Sequence, residues 1–194
     1  DVGIYDAMNK VLKRAGGEFI FFLNAGDCLA DNGVLARVNE YIERSSADIV
    51  YGNVFQVQKN KKELRRYGNL CKSNFYFYMG SCICHQAMFV KRELFKRKIF
   101  DINYLVCADR EWLMFQKKNG VVMEAMQFPV SIVLIEGFSS GHVKELEKET
   151  AKCLRSYYGE GVWIYKALLM MKKNMLVGNA LKGLEKIFFV RRSR

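Results

Sequence analysis

Phe19-Ile20-Phe21-Phe22-Leu23-Asn24-Ala25-Gly26-Asp27 is the stretch whose reading decides the fold. Five apolar residues in a row, with no alternation, read as a strand buried on both faces, as in a parallel sheet covered by helices. The run stops abruptly at Asn24. Polar residues at the C-terminal end of such a strand sit where open α/β sheets place their ligands. An aspartate there, beside the small residues Ala25 and Gly26, suits a divalent cation bound to a diphosphate.

Upstream, Tyr5, Met8, Val11, Leu12 and Ala15 fall at helical spacing, and Gly16-Gly17 is a C-terminal stop. Downstream, Asp31 is placed to cap a second helix with Val34, Leu35, Val38, Tyr41 and Ile42 as its inward stripe. A strand is expected over 47–57, a charged turn or loop over 59–66, a short strand over 87–90, and a helix over 108–118 with Trp112 and Phe115 inward. Residues 70–84 carry no clear period. Two strands are expected either side of Pro129, over 121–126 and 130–135. Residues 144–158, 163–173 and 180–190 read as helices. The order is that of an α/β domain over residues 1–140 followed by a basic helical tail over 141–194.

The 194 residues, 51% hydrophobic with one proline, suffice for one well-packed domain and are too few for two full ones. A net charge of +11 points to an anionic partner: nucleotide phosphates, an anionic membrane surface or nucleic acid. Nucleic acid is the weakest of these, since the basic residues gather in the tail and no recognised nucleic-acid motif is present. Six cysteines at irregular spacing do not form a secreted disulfide framework and read as reduced cytosolic thiols. No apolar stretch approaches the roughly 18 to 20 residues needed to span a bilayer.

Four segments in order, Gly3-Ile4-Tyr5-Asp6-Ala7-Met8-Asn9-Lys10, the run ending at Asp27, Cys84-His85-Gln86-Ala87-Met88 and Cys107-Ala108-Asp109-Arg110-Glu111-Trp112, resemble glycosyltransferase family 2. The resemblance is to its bacterial exopolysaccharide and O-antigen branch. It runs from Asp1 to about Ser140 and implies a GT-A fold, a mixed Rossmann-like sheet flanked by helices. It also implies transfer of a sugar from a nucleotide-sugar donor, a UDP-sugar by expectation, to a hydroxyl of a lipid-linked or polysaccharide acceptor, with inversion at the anomeric carbon. The beginning at Asp1 falls inside a motif of the family. An N-terminal βαβ unit carrying base-reading acidic residues is therefore expected to precede it.

The resemblance also assigns roles. Asp27 takes the metal position and would hold Mg²⁺ or Mn²⁺ against the diphosphate; Asn24 and Gly26 stand where the family is often acidic. Asp109, at a helix start, takes the place of the general base that removes the acceptor proton, and Glu111 is the alternative. His85 and Gln86 fall beside acceptor and diphosphate. Asp1, Asp6, Asn9 and Lys10, with Asn24, Ala25 and Gly26, belong to the donor side. Val11 stands where the family usually has glycine, and the Gly-Ser segment over 136–140 matches a turn that closes over the site.

Plainer readings stand beside these. Asp27 and Asp109 are both residues that cap helices and turns, and Cys82, Cys84 and His85 invite a zinc reading without a second ligand pair. A binding module that keeps the fold without turnover fits the same residues. The tail mixes Lys166, Lys172, Lys173, Lys182, Lys186, Arg191, Arg192 and Arg194 with Leu, Met and Phe. That composition suits a helix lying on an anionic leaflet, which would place the protein peripherally on the cytoplasmic face of the plasma membrane. A tail packed back on the domain is the alternative.

Overall fold

A computed structural model of the chain describes residues 1–59, 61–69, 73–135, 141–159 and 161–173. The expected closing turn over 136–140 and the third tail helix over 180–190 lie outside the described residues. In chain order the elements are α1 (Ile4–Leu12), β1 (Phe19–Phe21), β2 (Cys28–Leu29), α2 (Val34–Glu43), β3 (Ile49–Gln58) and β4 (Lys61–Arg65). There follow α3 (Phe75–Tyr78), a 3-10 turn (His85–Ala87), β5 (Met88–Lys91), α4 (Arg92–Arg97) and α5 (Ala108–Lys118). The chain continues into β6 (Met123–Leu134), α6 (Val143–Tyr158) and α7 (Gly161–Lys173).

The strands form one mixed sheet in the order β1-β5-β3-β6-β2, with β4 paired to β3 as a ribbon. Among the described strands only β3 and β6 run parallel; β1 with β5, β5 with β3, and β2 with β6 are antiparallel. Expectation and structure therefore differ at the opening stretch. β1 is a three-residue strand at the end of the described sheet rather than a strand inside a parallel one. Its apolar run is used for ring packing instead: Phe21 stacks on Phe89 at 4.4 Å, while Phe22 turns edge-on to Phe95 and Phe100.

β6 is also one strand, not two. It passes through Pro129, which lies opposite Asn53 where the β3–β6 register shifts. Proline offers no N–H to a ladder, so a strand can carry it only at such an irregularity. The Asn53 side chain secures the break, donating to the Gln127 carbonyl at 3.2 Å and accepting from the Tyr67 N–H at 3.0 Å. The segment expected as a charged loop forms the β3–β4 hairpin, with Lys59 at φ 45° in its turn. Its charges do not forbid a strand, because β4 is exposed over its first three residues.

Two helical stripes are narrower than their spacing suggested. Val11 is 58% exposed and Leu35 54%, so α1 buries Tyr5, Met8 and Asn9, and α2 buries Val34 and Val38. Gly33 occupies the N-cap of α2, and Asp31 instead accepts the Gly33 N–H and pairs with Arg37. Helix α5 follows the expected bounds, with Trp112 buried and Phe115 half-buried. Trp112 stacks on Phe95 at 4.6 Å, and Phe95 meets Phe100, which in turn packs on Tyr5. This aromatic group joins α1, α4 and α5 beneath the ends of β1 and β5.

The helices beyond residue 140 pack on the domain. Thr150, Cys153 and Leu154 of α6 and Val162 and Tyr165 of α7 are buried, whereas Trp163, Ile164, Met170 and Met171 are exposed. Burying side chains such as Leu154, Leu113 and Phe77 contributes about 1.5–3 kcal/mol each.

Gly52 precedes the β3–β6 shift, where a Cβ would fall 2.4 Å from Val130 Cγ1 and 2.8 Å from the Phe128 carbonyl oxygen. Gly52→Ala should therefore cost about 1–3 kcal/mol in urea unfolding. An unchanged midpoint and slope would show that the two strands can part without penalty.

Candidate active site

Antiparallel pairing of β1 with β5 sets Phe21 against Phe89, so the chain leaving β1 lies beside the chain about to start β5. The loop carrying Asp27 and the 3-10 turn carrying His85 and Gln86 are thereby neighbours. Gln86 Nε2 donates to Asp27 Oδ2 at 3.0 Å. Asp27 Oδ1 accepts the Leu134 N–H at 3.0 Å, tying the same loop to the end of β6. The turn itself is pinned from below, because buried Ser131 donates its hydroxyl to the Gln86 carbonyl at 2.6 Å.

His85, the residue before, faces the other carboxylate. His85 Nδ1 lies 3.1 Å from Asp109 Oδ2, with both side chains largely enclosed at 11% and 17% exposure. Asp109 Oδ1 accepts the Arg110 N–H at 2.7 Å and lies 3.2 Å from the Tyr5 hydroxyl, which also reaches the Val106 carbonyl at 2.7 Å. Burial works against the charged carboxylate, but the hydrogen bond and charge of His85, the Arg110 guanidinium and the Arg110 N–H outweigh it and hold the Asp109 carboxyl below its ordinary value. Burial first, and the Asp109 charge second, push Tyr5 well above the usual phenol range, so its hydroxyl stays a donor. An ionised Asp109 requires the proton of the contact to sit on Nδ1. His85 Nε2 is buried and has no hydrogen-bond partner among the described residues. An uncompensated polar atom of this kind is costly unless a bound group satisfies it.

One short turn therefore links two expected carboxylates, Asp27 through Gln86 and Asp109 through His85. Of the other expected residues, Asn24, Ala25 and Gly26 share the Asp27 turn, and the rest are engaged elsewhere. The amide of Asn9 bonds the backbone of Phe100 through both of its atoms, at 2.8 and 3.0 Å, so Asn9 serves as a buried strut. Glu111 turns into the protein, paired with Lys98 at 2.5 Å and with the Tyr157 hydroxyl. It sits two residues from Asp109 on a helix, so the two side chains leave on different faces. Lys10 bridges Asp1 at 2.7 Å and Asp6 at 2.8 Å on the exposed side of α1. Asn24 supplies its carbonyl to the Asp27 N–H in the turn, where Ala25 is exposed and Gly26 has φ 90°. Tyr5 was legible only as a core residue, and nothing in its spacing marks it as a partner of Asp109.

Asp27 fits a cation as a single anchor. Each oxygen accepts one hydrogen bond, and a carboxylate has roughly four acceptor positions. No three His, Cys, Asp or Glu side chains among the described residues converge as metal ligands. A magnesium-like ion taking one protein carboxylate, with phosphates and water completing the shell, matches that donor set. Cys84 lies 3.2 Å from the Tyr67 hydroxyl, and its thiol is pushed up to about 11 chiefly by burial.

Residues 1–107 match the sequence model of Glycosyl transferase family 2. A PGL/p-HBAD biosynthesis glycosyltransferase from Mycobacterium bovis (strain BCG / Pasteur 1173P2) is 37% identical over 111 residues, 56% of this chain and 41% of that protein. The protein of the same description from Mycobacterium tuberculosis (strain ATCC 25177 / H37Ra) matches to the same extent. The chain thus spans 41% of the length of these curated relatives. Among solved structures, S. aureus TarS 1-349 in complex with UDP superposes with a TM-score of 0.58 at 15% identity, over 90% of this chain and 52% of that one. S. aureus TarS itself gives 0.58 at 17% identity, over 84% and 29%. At such identity the likeness is one of fold, and it is the expected GT-A architecture.

Asp109 carries a pH signature. Its carboxyl titrates lower when folded than when unfolded. Its contribution is therefore full above the ordinary carboxylate value, near 3.9, and is lost as pH falls through the folded value. The stability difference between the unmodified protein and Asp109→Asn, measured by denaturant titration, should be constant from about pH 6 to 5 and shrink below about pH 4. A difference that grows on acidification would place the carboxyl above its ordinary value.

Proposed function

Because the chain belongs to glycosyltransferase family 2, we propose that it carries the catalytic centre of an inverting sugar transferase. Its donor is a nucleoside diphosphate sugar, a UDP-sugar by preference, and its acceptor is a hydroxyl of a lipid-linked or polysaccharide chain. The observation that supports this reading is the His85-Gln86 turn, whose two adjacent side chains hold Asp109 and Asp27; the reading gives Asp27 to the diphosphate and Asp109 to the acceptor. The UDP preference is supported by the shared fold with TarS, whose crystal structure contains UDP.

In the proposed reaction the acceptor oxygen attacks the anomeric carbon on the face opposite the diphosphate. The new C–O bond forms as the bond to the diphosphate breaks, and the hydroxyl proton passes to Asp109, hydrogen-bonded to His85. Tyr5 and the Arg110 N–H fix the carboxylate, and Nδ1 of His85 orients it. On the donor side, Gln86 and the Leu134 N–H hold Asp27 in place. A bound Mg²⁺ or Mn²⁺ would add positive charge against the departing diphosphate. The exposed apolar residues of α7, Trp163, Ile164, Met170 and Met171, with Lys166 beside them, support contact with an anionic bilayer on the cytoplasmic face. No described helix is long and apolar enough to cross a membrane.

In the complete protein, Asp109→Asn should lower sugar transfer by about 10²–10⁴-fold, the range of a general base, while UDP binding by calorimetry stays within about twofold. His85→Ala in parallel shows how far the pair acts as one. Retention of more than about a tenth of turnover by Asp109→Asn would remove it from proton transfer. Full UDP binding with no transfer by the unmodified protein would favour a binding module.

Asp27→Ala should abolish the difference in UDP affinity measured with Mn²⁺ and with chelator. Equal affinity in both conditions for the unmodified protein would leave Asp27 as a loop tie alone.

A further inference from the structure

Asp109 lies two residues beyond the segment that matches the family, and its surroundings come from further along the chain. Helix α6 places Glu149 against the three residues that lead into α5. One carboxylate accepts the N–H groups of Leu105 at 2.7 Å, Val106 at 2.9 Å and Cys107 at 3.0 Å. Three successive backbone donors converging on one ion fix that segment far more tightly than a turn would, since charge-assisted bonds are short and strong. The carbonyl of Val106 is in turn the acceptor for Tyr5, whose hydroxyl lies against Asp109.

The next residue of α6 grips the far side. Thr150, fully buried, accepts Arg110 Nη1 at 2.7 Å, and the same Nη1 reaches the Gly80 carbonyl at 3.1 Å. Gly80 has φ 71°, and a Cβ there would meet the ring of Tyr165 from α7 at 2.7 Å. Arg110 is 9% exposed. Its guanidinium is thus held in the interior next to the Asp109 carboxylate that it helps keep ionised. Glu149 and Thr150 therefore clamp the chain on either side of Asp109, at residues 105–107 and at Arg110.

We propose that Glu149 and Thr150 are positioning residues of the transferase centre, so that α6, outside the family-matched segment, completes the site by fixing the direction of the Asp109 carboxylate. This rests on the transferase reading for its kinetic part only. Displacement of a reacting group by about 1 Å costs on the order of 10²-fold in rate, so the clamp acts on kcat and not on the donor side, which is built from Asp27, Gln86 and Leu134.

The test uses the complete protein with Glu149→Ala, Thr150→Val and Thr150→Ser. Three readouts are followed: UDP release from the UDP-sugar that the unmodified protein turns over, amide exchange at residues 105–107, and titration of Asp109 by carbon NMR. Glu149→Ala should speed exchange at Leu105–Cys107 and move the Asp109 carboxyl, which faces His85, Tyr5 and Arg110, up toward its ordinary value. It should lower kcat by about 10–100-fold, with KM for the UDP-sugar within about twofold. Thr150→Val should lower kcat in the same way, and Thr150→Ser, which keeps the hydroxyl, should restore it. Unchanged exchange and unchanged Asp109 titration in Glu149→Ala would overturn the proposal, as would equal losses of kcat and UDP affinity in all three variants. If exchange and titration move as expected but the unmodified protein releases no UDP, the transferase reading fails and the clamp stands.

Discussion

His85 and Gln86 are adjacent in the chain, and their side chains reach carboxylates that the sequence places far apart, Asp109 and Asp27. A 3-10 turn lets consecutive residues point to different sides, and Ser131 of β6 anchors the turn from beneath. The rest of the described structure makes this juxtaposition possible. The antiparallel β1–β5 pairing brings the Asp27 loop to the turn, and the aromatic group of Phe22, Phe95, Phe100 and Trp112 sets α5, with Asp109 in its first turn, over the same end of the sheet. Loss of the turn would take a hydrogen-bond partner from each carboxylate and uncouple Asp27 from Asp109.

The elements with a strong period were legible in the sequence. Helix α5 and helix α6 fall within a residue of their expected bounds, because each has an apolar stripe at helical spacing and at least one acidic residue in its first turn. The opening apolar run was legible as a strand but not as to its neighbours. A run without alternation shows that both sides are apolar; it does not distinguish a strand between parallel partners from a short antiparallel strand whose rings pack on helices. The β3–β4 hairpin was hidden by its charges, and the continuity of β6 by Pro129, whose missing N–H is absorbed by a register shift that only the partner strand reveals.

The site was legible in its parts and not in its connections. Asp27, His85, Gln86 and Asp109 could be picked out one by one, each with a plainer reading beside it. What the sequence did not show is their convergence: Asp109 meets both His85 and Tyr5, and Asp27 meets Gln86. Asn9 and Glu111 show the converse, since their residue types suit binding and acid–base work, yet Phe100 and Lys98 engage them as struts of the core. The residues of α6 that grip the chain around Asp109 left no signal, because a glutamate and a threonine on an amphipathic helix have nothing local to mark them. They became visible only where Glu149 meets three consecutive N–H groups.

If one site hinged on His85-Gln86 faces the diphosphate with Asp27 and the acceptor with Asp109, ligands must bind on both sides of that turn. A crystal structure of the complete protein with a non-hydrolysable UDP-sugar and Mn²⁺ tests it most directly. The diphosphate should lie beside Asp27 and Gln86, with the anomeric carbon turned toward His85 and Asp109 and His85 Nε2 paired with a ligand atom. A diphosphate bound elsewhere, with Asp27 and Asp109 both retaining only their present protein partners, would contradict it.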